Sequence, residues 1–297
     1  RIELLSSKGN NNSMYAKAYA KINIYLDVVG KKDDGYHNLD MVMLPLELHD
    51  VIEIEYLPYL QDTFIVCDKV EDSETKYDLI HQTLDAFRKK YGVTGNMNIT
   101  VHKEIPICAG LGGGSSNAAA CLKAFKKIFK VKMEPEEELE FTLALGADVP
   151  YCMQNVPAHV EGIGEKVTPI NMAKRFHVIV IKPKLGLSTK KVFDASDNFT
   201  LKHGDVNKVI KALETGDEDL LAEGMFNSLE EVSISLVPEI QQIKDMLKKD
   251  GFKCVLMTGS GSCVFALTTD ARLAYKKYLK YDGKGYDVYL TKTKKVR

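Results

Sequence analysis

Pro106-Ile-Cys-Ala-Gly-Leu-Gly-Gly-Gly-Ser-Ser-Asn-Ala-Ala-Ala120 is the stretch on which the reading of this chain turns. Four glycines, Gly110, Gly112, Gly113 and Gly114, fall within five residues, and Ser115, Ser116 and Asn117 follow at once. Upstream, residues 96–103 (NMNITVHK) alternate as a strand does; downstream, residues 118–129 have helical composition. The order is strand, glycine-rich loop, helix start. Glycines let a backbone take positive φ and approach a ligand closely. The first N–H groups of a helix lack internal partners, and the helix dipole adds positive charge there. Serine and asparagine serve as caps at the same place. Together these features describe an anion site suited to phosphate. A flexible loop capping an ordinary helix is the alternative on local grounds. The chain holds no G-x-x-x-x-G-K-[ST], and Ser115 stands where G-x-G-x-x-G needs its last glycine, so P-loop and dinucleotide-fold readings are disfavoured.

Working outward, 297 residues suffice for two domains of ordinary size. With 45% hydrophobic and 27% charged residues, the composition is that of a globular protein. A net charge of −1 gives no electrostatic case for nucleic acid or an anionic membrane as partner. No apolar run approaches the roughly 20 residues of a membrane helix. Residues 1–13 (RIELLSSKGNNNS) are polar and lack a signal-peptide core, so a tag or disordered extension is expected there, with the native start at Met14. The six cysteines show no C-x-x-C or metal-like spacing, which favours free thiols in a reducing cytoplasm. Cys108 reads as a small packing residue.

Residues 15–29 read as a strand, with Lys21 and Asn23 two apart and so on one face. That pair marks either a polar site or an exposed edge strand. A turn over 30–37 ends in Tyr36-His37, which could stack on and hydrogen-bond a ring or simply decorate the surface. Strands are expected at 40–48, 51–57 and 63–67, and a helix over 78–91. Pro135 and the three glutamates after it start a helix that runs to about Leu145. Asp148 then sits past that helix end, before Pro150, where an acid is locally unfavourable; a functional carboxylate or a turn-forming one are both open. A strand and turn cover 159–164, and a buried strand covers 176–181. A domain boundary is placed near 171–175. Helices are expected near 205–213, 237–249 and 271–279, with strands at 253–257, 264–267 and 286–291. Between the strands at 253–257 and 264–267 lies a second glycine-serine loop, Thr258-Gly-Ser-Gly-Ser-Cys263. It is either a simple hairpin turn or a second wall of one phosphate site.

Three segments together resemble the GHMP kinases, ATP-dependent small-molecule kinases: Ala20-Lys-Ile-Asn23, the loop from Pro106 through Ala120, and Thr258 to Ser262. The resemblance covers the chain from Met14 almost to its end. Asp34-Gly-Tyr-His37, the triple-glycine loop and Gly146-Ala-Asp-Val-Pro150 point, within that family, to members that phosphorylate the 2-hydroxyl of a cytidine-diphosphate sugar alcohol on the non-mevalonate route to isoprenoid precursors.

The resemblance implies an α/β (α+β) two-domain fold. An N-terminal ATP-binding domain (14–172) precedes a ferredoxin-like C-terminal domain (173–297). It implies Asp148 as general base with Lys21 beside it. Asn23, Asp148, Tyr36, His37 and Phe193 would hold the acceptor, with the last three around the cytosine. Lys103, Pro106, Gly110, Leu111, Gly112, Gly113, Gly114, Ser115 and Ser116 would hold ATP. Gly259, Ser260 and Gly261 would close on the substrate diphosphate or the transferred phosphoryl. Magnesium is expected with ATP, without assigned ligands. A cytoplasmic monomer or homodimer acting on small molecules is expected. Rival expectations are a GHMP kinase for mevalonate-, homoserine- or sugar-type acceptors, and a non-catalytic nucleotide-binding relative.

Overall fold

A computed structural model of the chain describes residues 5–6, 13–33, 35–68 and 78–295. In chain order the elements are β1 (Leu5–Ser6), β2 (Ser13–Lys31), β3 (His37–Tyr56), β4 (Phe64–Cys67), α1 (Asp78–Tyr91), β5 (Met97–His102), α2 (Gly113–Ile128), α3 (Pro135–Leu145) and α4 (Val149–Gln154). There follow β6 (Ala158–Gly162), β7 (Lys166–Pro169), β8 (His177–Lys182), α5 (Thr189–Ser196), α6 (Val206–Thr215), α7 (Glu218–Gly224), β9 (Phe226–Asn227), α8 (Glu230–Leu236), α9 (Glu239–Lys249), β10 (Cys254–Met257), β11 (Val264–Thr268), α10 (Ala271–Tyr281) and β12 (Asp287–Lys292). The extension expected over residues 1–13 lies mostly outside the described residues. Within it, Leu5–Ser6 pairs antiparallel with β2.

The chain forms two compact units that do not follow its order. The first holds residues 1–20, 48–105 and 112–154; the second holds residues 21–47, 106–111 and 155–297. Strands β2 and β3 pass from one unit into the other.

In the first unit, β5 pairs antiparallel with the latter part of β3 and parallel with β4. Alternation places Met97, Ile99 and Val101 of β5 on the buried face, as a one-sided sheet requires. Helices α1 and α2 complete this core through Leu84, Phe87, Leu122 and Phe125. Phe87 is its aromatic hub, with ring centroids 4.9 Å from Tyr91 and 6.0 Å from Phe125.

In the second unit, β6 pairs with the first part of β3, and β9 runs parallel to β2 at Tyr25–Leu26. From Ala20 to Val28 every residue of β2 is buried, the signature of a strand covered on both faces. A separate sheet has the order β10-β11-β8-β12 with every pair antiparallel. Its chain order, strand, helices, two strands, helix, strand, is the split βαβ arrangement of a ferredoxin-like fold, in agreement with the expectation. The apolar run Val178 to Ile181 of β8 is central to it and fully buried.

Two expectations are corrected. The strands expected at 40–48 and 51–57 are one strand, β3. His49 and Asp50 impose no turn, because the Asp50 side chain bonds a distant loop rather than its own backbone. Helix α2 begins at Gly113, not near residue 118. Gly112, at φ 68°, makes the left-handed turn that sets the chain into the helix, so the capping position falls on a glycine without a side-chain cap. The elements that sequence patterning left out, among them α4, α5, α7 and α8, span eight residues or fewer, too few for a periodic apolar face.

Candidate active site

Three of the sequence motifs meet at one hydroxyl in the second unit. The Asn23 backbone N–H donates to Thr258 Oγ1 at 3.0 Å, and Thr258 Oγ1 donates to the Gly110 carbonyl at 3.3 Å. The Lys21 N–H donates to the Leu111 carbonyl at 3.0 Å. Residues far apart in the chain, from β2, the glycine-rich loop and the β10–β11 turn, thus share one frame.

Within that frame Lys21 Nζ donates to Asn23 Oδ1 at 2.8 Å. Both side chains are buried, Lys21 at 4% and Asn23 at 1% exposure, which rules out the exposed edge strand. Burying an ammonium costs several kcal/mol unless partners compensate, so Lys21 occupies a site built for it. The Thr258–Ser262 segment is a hairpin turn and also a packed wall. Asn227 Nδ2 donates to the Met257 and Gly259 carbonyls, Ser233 Oγ to the Ser260 carbonyl, and Ser260 Oγ lies 3.0 Å from Thr189 Oγ1. Glu230 accepts the Met257 N–H at 2.9 Å and pairs with Lys244. Asn227, Ser233, Thr189 and Glu230 escaped the sequence reading. Only their positions after the fold closes tie them to the loop, and no spacing reveals that.

In the first unit, Lys103 and the start of α2 share a second network. Asp50, fully buried, accepts from Lys103 Nζ at 2.6 Å and from the Glu104 and Ile105 N–H groups at 2.8 Å each. The Asn117 amide, turned nitrogen-inward, adds a fourth donor at 2.9 Å. A Cβ on Gly113 would stand 3.3 Å from Lys103 Nζ, so the ammonium lies against the helix start. Ser116 does not cap the helix: its hydroxyl donates to the Tyr19 carbonyl at 2.7 Å. Asp50 was not foreseen, since a lone acid inside an apolar strand carries no motif.

Asp148 lies in the first unit, half-buried, with the short helix α4 starting at the next residue. Its carbonyl accepts the Cys152 N–H at 3.0 Å, closing the first turn. The expectation that Asp148 is locally unfavourable is therefore corrected. It stands at a helix N-terminus, where the dipole favours a carboxylate.

Tyr36 and His37 lie in the second unit, on the turn into β3. Tyr36 is exposed, while the His37 side chain is 12% exposed. The His37 and Phe193 rings stand 5.0 Å apart between centroids, tilted by 34°. The two expected cytosine neighbours from β3 and α5 are thus adjacent. Asp34 of the motif lies outside the described residues.

The sequence matches the models for the GHMP kinases N terminal domain over residues 78–162 and GHMP kinases C terminal over residues 209–287. A 4-diphosphocytidyl-2-C-methyl-D-erythritol kinase of Clostridium botulinum (strain Eklund 17B / Type B) is 38% identical over 281 residues, 94% of this chain and 100% of that protein. A crystal structure of a 4-(cytidine 5'-diphospho)-2C-methyl-D-erythritol kinase has a TM-score of 0.78 at 27% identity, covering 95% of this chain and 100% of that one. L. major mevalonate kinase, solved with R-mevalonate, has a TM-score of 0.71 at 14% identity, covering 99% of both chains, and speaks for the fold alone. The two domains and the three converging motifs define the class: the chain belongs to the GHMP kinases. Within them it belongs to the family of the 4-diphosphocytidyl-2-C-methyl-D-erythritol kinases.

Proposed function

We propose that this chain transfers the γ-phosphoryl of ATP to the 2-hydroxyl of 4-diphosphocytidyl-2-C-methyl-D-erythritol, in the non-mevalonate route to isoprenoid precursors. The observation that carries the reading is the Thr258 hydroxyl, which joins β2, the glycine-rich loop and the β10–β11 turn. Residues 14–172 supply the nucleotide loop, and residues 173–297 carry the Thr258 loop and Phe193.

Phosphoryl transfer asks a protein chiefly to position reactants and to neutralise charge on the moving phosphoryl. The segment Gly110 to Ser116 wraps the ATP phosphates with the backbone N–H groups ahead of Ser116 and the α2 dipole behind them; the Ser116 N–H itself donates to the Gly112 carbonyl. Lys103 stands at the same helix start, and Pro106 leads into the loop. Asp148 accepts the proton of the attacking hydroxyl as the new O–P bond forms and ADP departs. Lys21 steadies negative charge near the attacking oxygen, and Asn23 positions the acceptor. Gly259, Ser260 and Gly261 close on the diphosphate. Tyr36, His37 and Phe193 hold the base. Magnesium enters bound to ATP. Among the described residues no three metal-ligating side chains cluster, and a phosphate-borne magnesium needs only one or two protein oxygens.

A coupled ADP-release assay tests this, with the cytidyl acceptor offered beside mevalonate, homoserine and galactose. Turnover with the cytidyl acceptor alone is expected. Turnover with another acceptor would keep the phosphate loop and discard the base-binding roles. Asp148→Asn is expected to lower kcat by about 10²–10⁴-fold with ATP binding near normal. Intact turnover in that variant would remove Asp148 as base.

A further inference from the structure

We infer that a cavity at the root of the Thr258 loop, wholly within the second unit, is a regulatory site for a small alkyl phosphate. It measures about 220 Å³ and lies among residues 199–202, α7, β9, α8, α9 and β10, the strand that runs into the loop. Leu201, Met225, Val255 and Leu256 give it an apolar lining. Four lysines, Lys202, Lys244, Lys248 and Lys253, stand against two glutamates, Glu230 and Glu231, an excess of two positive charges in a chain whose net charge is −1. Lys202 pairs with Glu231, and Lys253 with Asp219 at 2.6 Å, in both cases at exposed positions. Among the described residues Lys248 has no carboxylate within ion-pair distance. Lys244 is the buried cation, 8% exposed, and its ammonium donates to Glu230. An ammonium has three donors, so two are left for a ligand.

The ligand class follows from these groups. A buried ammonium is costly unless its donors are met, and an anion meets them. No arginine lines the cavity, so the planar fork that matches a carboxylate is missing. Lysines act as point charges, which suits a tetrahedral phosphate approached from several sides. The apolar lining takes a hydrocarbon tail. Sites for drug-sized ligands measure roughly 300–1,000 Å³, so this smaller one takes a short-chain ester and not a nucleotide. Two lining residues also hold the Thr258 loop. Glu230 accepts the Met257 N–H at 2.9 Å while pairing with Lys244, and Asn227 donates to the Met257 and Gly259 carbonyls. A phosphate drawing on Lys244 competes with Glu230 for the ammonium and shifts the brace under the loop. Occupied and unoccupied forms then differ in a contact that the loop itself makes, which is what coupling between two sites requires. The effect on turnover rests on the reading of the Thr258 loop as a wall of the active site; the binding does not.

The test titrates n-butyl phosphate into the full-length chain by isothermal calorimetry, with the nucleotide site saturated by adenylyl imidodiphosphate. Inorganic phosphate and n-butanol are the comparison probes. One site per chain is expected for butyl phosphate, about 10-fold or more tighter than for either comparison probe. Lys248→Gln is expected to weaken it by about 10-fold, with the kinetic constants measured without probe unchanged. Lys244→Met is expected to abolish it; if that variant does not fold, Lys248→Gln decides. Equal affinity for butyl and inorganic phosphate, or unchanged affinity in Lys248→Gln, would overturn the site. In the coupled assay at saturating ATP, butyl phosphate is expected to raise the acceptor KM by about 5-fold or more, and to do so far less in Lys248→Gln at the same concentration. Inhibition of equal strength in Lys248→Gln would place the probe in the active site and overturn the proposal. Binding that Lys248→Gln weakens, with no change in acceptor KM, would support the site and overturn its coupling to the loop. Absence of turnover with every acceptor would count against the proposed activity alone, since calorimetry reads the site without it.

Discussion

The two glycine-serine loops look alike in sequence and are held in different ways. In the first, Gly110 and Gly112 take φ of 73° and 68°, and the chain enters α2 without a side-chain cap. Cys108 in this loop is exposed. In the second, Thr258, Ser260 and Ser262 are buried, and Asn23, Asn227, Ser233 and Thr189 bond the loop from several sides. One loop leaves its backbone at a helix end, where a ligand can use it. In the other, the Thr258 and Ser260 hydroxyls are engaged within the protein and hold the loop and its neighbour in place. Glycine content alone does not separate these uses; the partners of the backbone do.

The sharpest attempt to break this contrast is Gly110→Ala. A Cβ there would fall 2.3 Å from the Thr258 carbonyl, on a backbone already at positive φ. The strain and the clash together are expected to cost roughly 3–5 kcal/mol in urea unfolding. A loss under 1 kcal/mol would show the two loops to be independent. Thiol reactivity gives the next largest difference. Burial pushes the Cys263 thiol well up, whereas Cys108 is exposed. At pH 8 in a Cys67→Ser background, iodoacetamide is expected to label Cys108 on the order of 100-fold faster than Cys263. ATP should protect Cys108; comparable rates without ligand would contradict a braced second loop.

Asn227→Ala strips donors from two buried carbonyls, those of Met257 and Gly259, and an acceptor from the Leu229 N–H. A loss of about 2–3 kcal/mol is expected by thermal or urea unfolding, with catalysis falling alongside stability. Gly114→Ala is the smallest change. Its Cβ would meet nothing within 4 Å, in a helical position. Stability is expected to stay level or rise by up to about 1 kcal/mol, so a raised ATP KM would report ligand approach alone.

Much of this was legible in the chain. The helices Asp78–Tyr91 and Pro135–Leu145 follow from apolar spacing and, in the second, from Pro135 and the acids after it. The glycine-rich loop, Lys21-x-Asn23 and the Thr258 loop stood out because phosphate chemistry demands unusual residues at fixed spacing. The helix start was misplaced by five residues because one left-handed glycine, not the best capping side chain, sets it. Asp148 was misjudged locally because α4 is six residues long and carries Pro150, which reads as a break in sequence although proline suits a helix's first turn.

Local composition and spacing therefore determined many of the elements, the helix-end anion loop and the short list of polar residues worth examining, while the class of fold followed from the family resemblance that the motifs carry. Those signals act over a few residues, through backbone freedom and periodicity. The tertiary structure alone decided that one threonine hydroxyl joins three distant segments and that Asp50 anchors Lys103. Those pairings span from 53 residues, between Asp50 and Lys103, to 235, between Asn23 and Thr258. A hydrogen bond needs its partners within about 3 Å, and only the folding of strands and helices around two cores brings such distant residues to that separation.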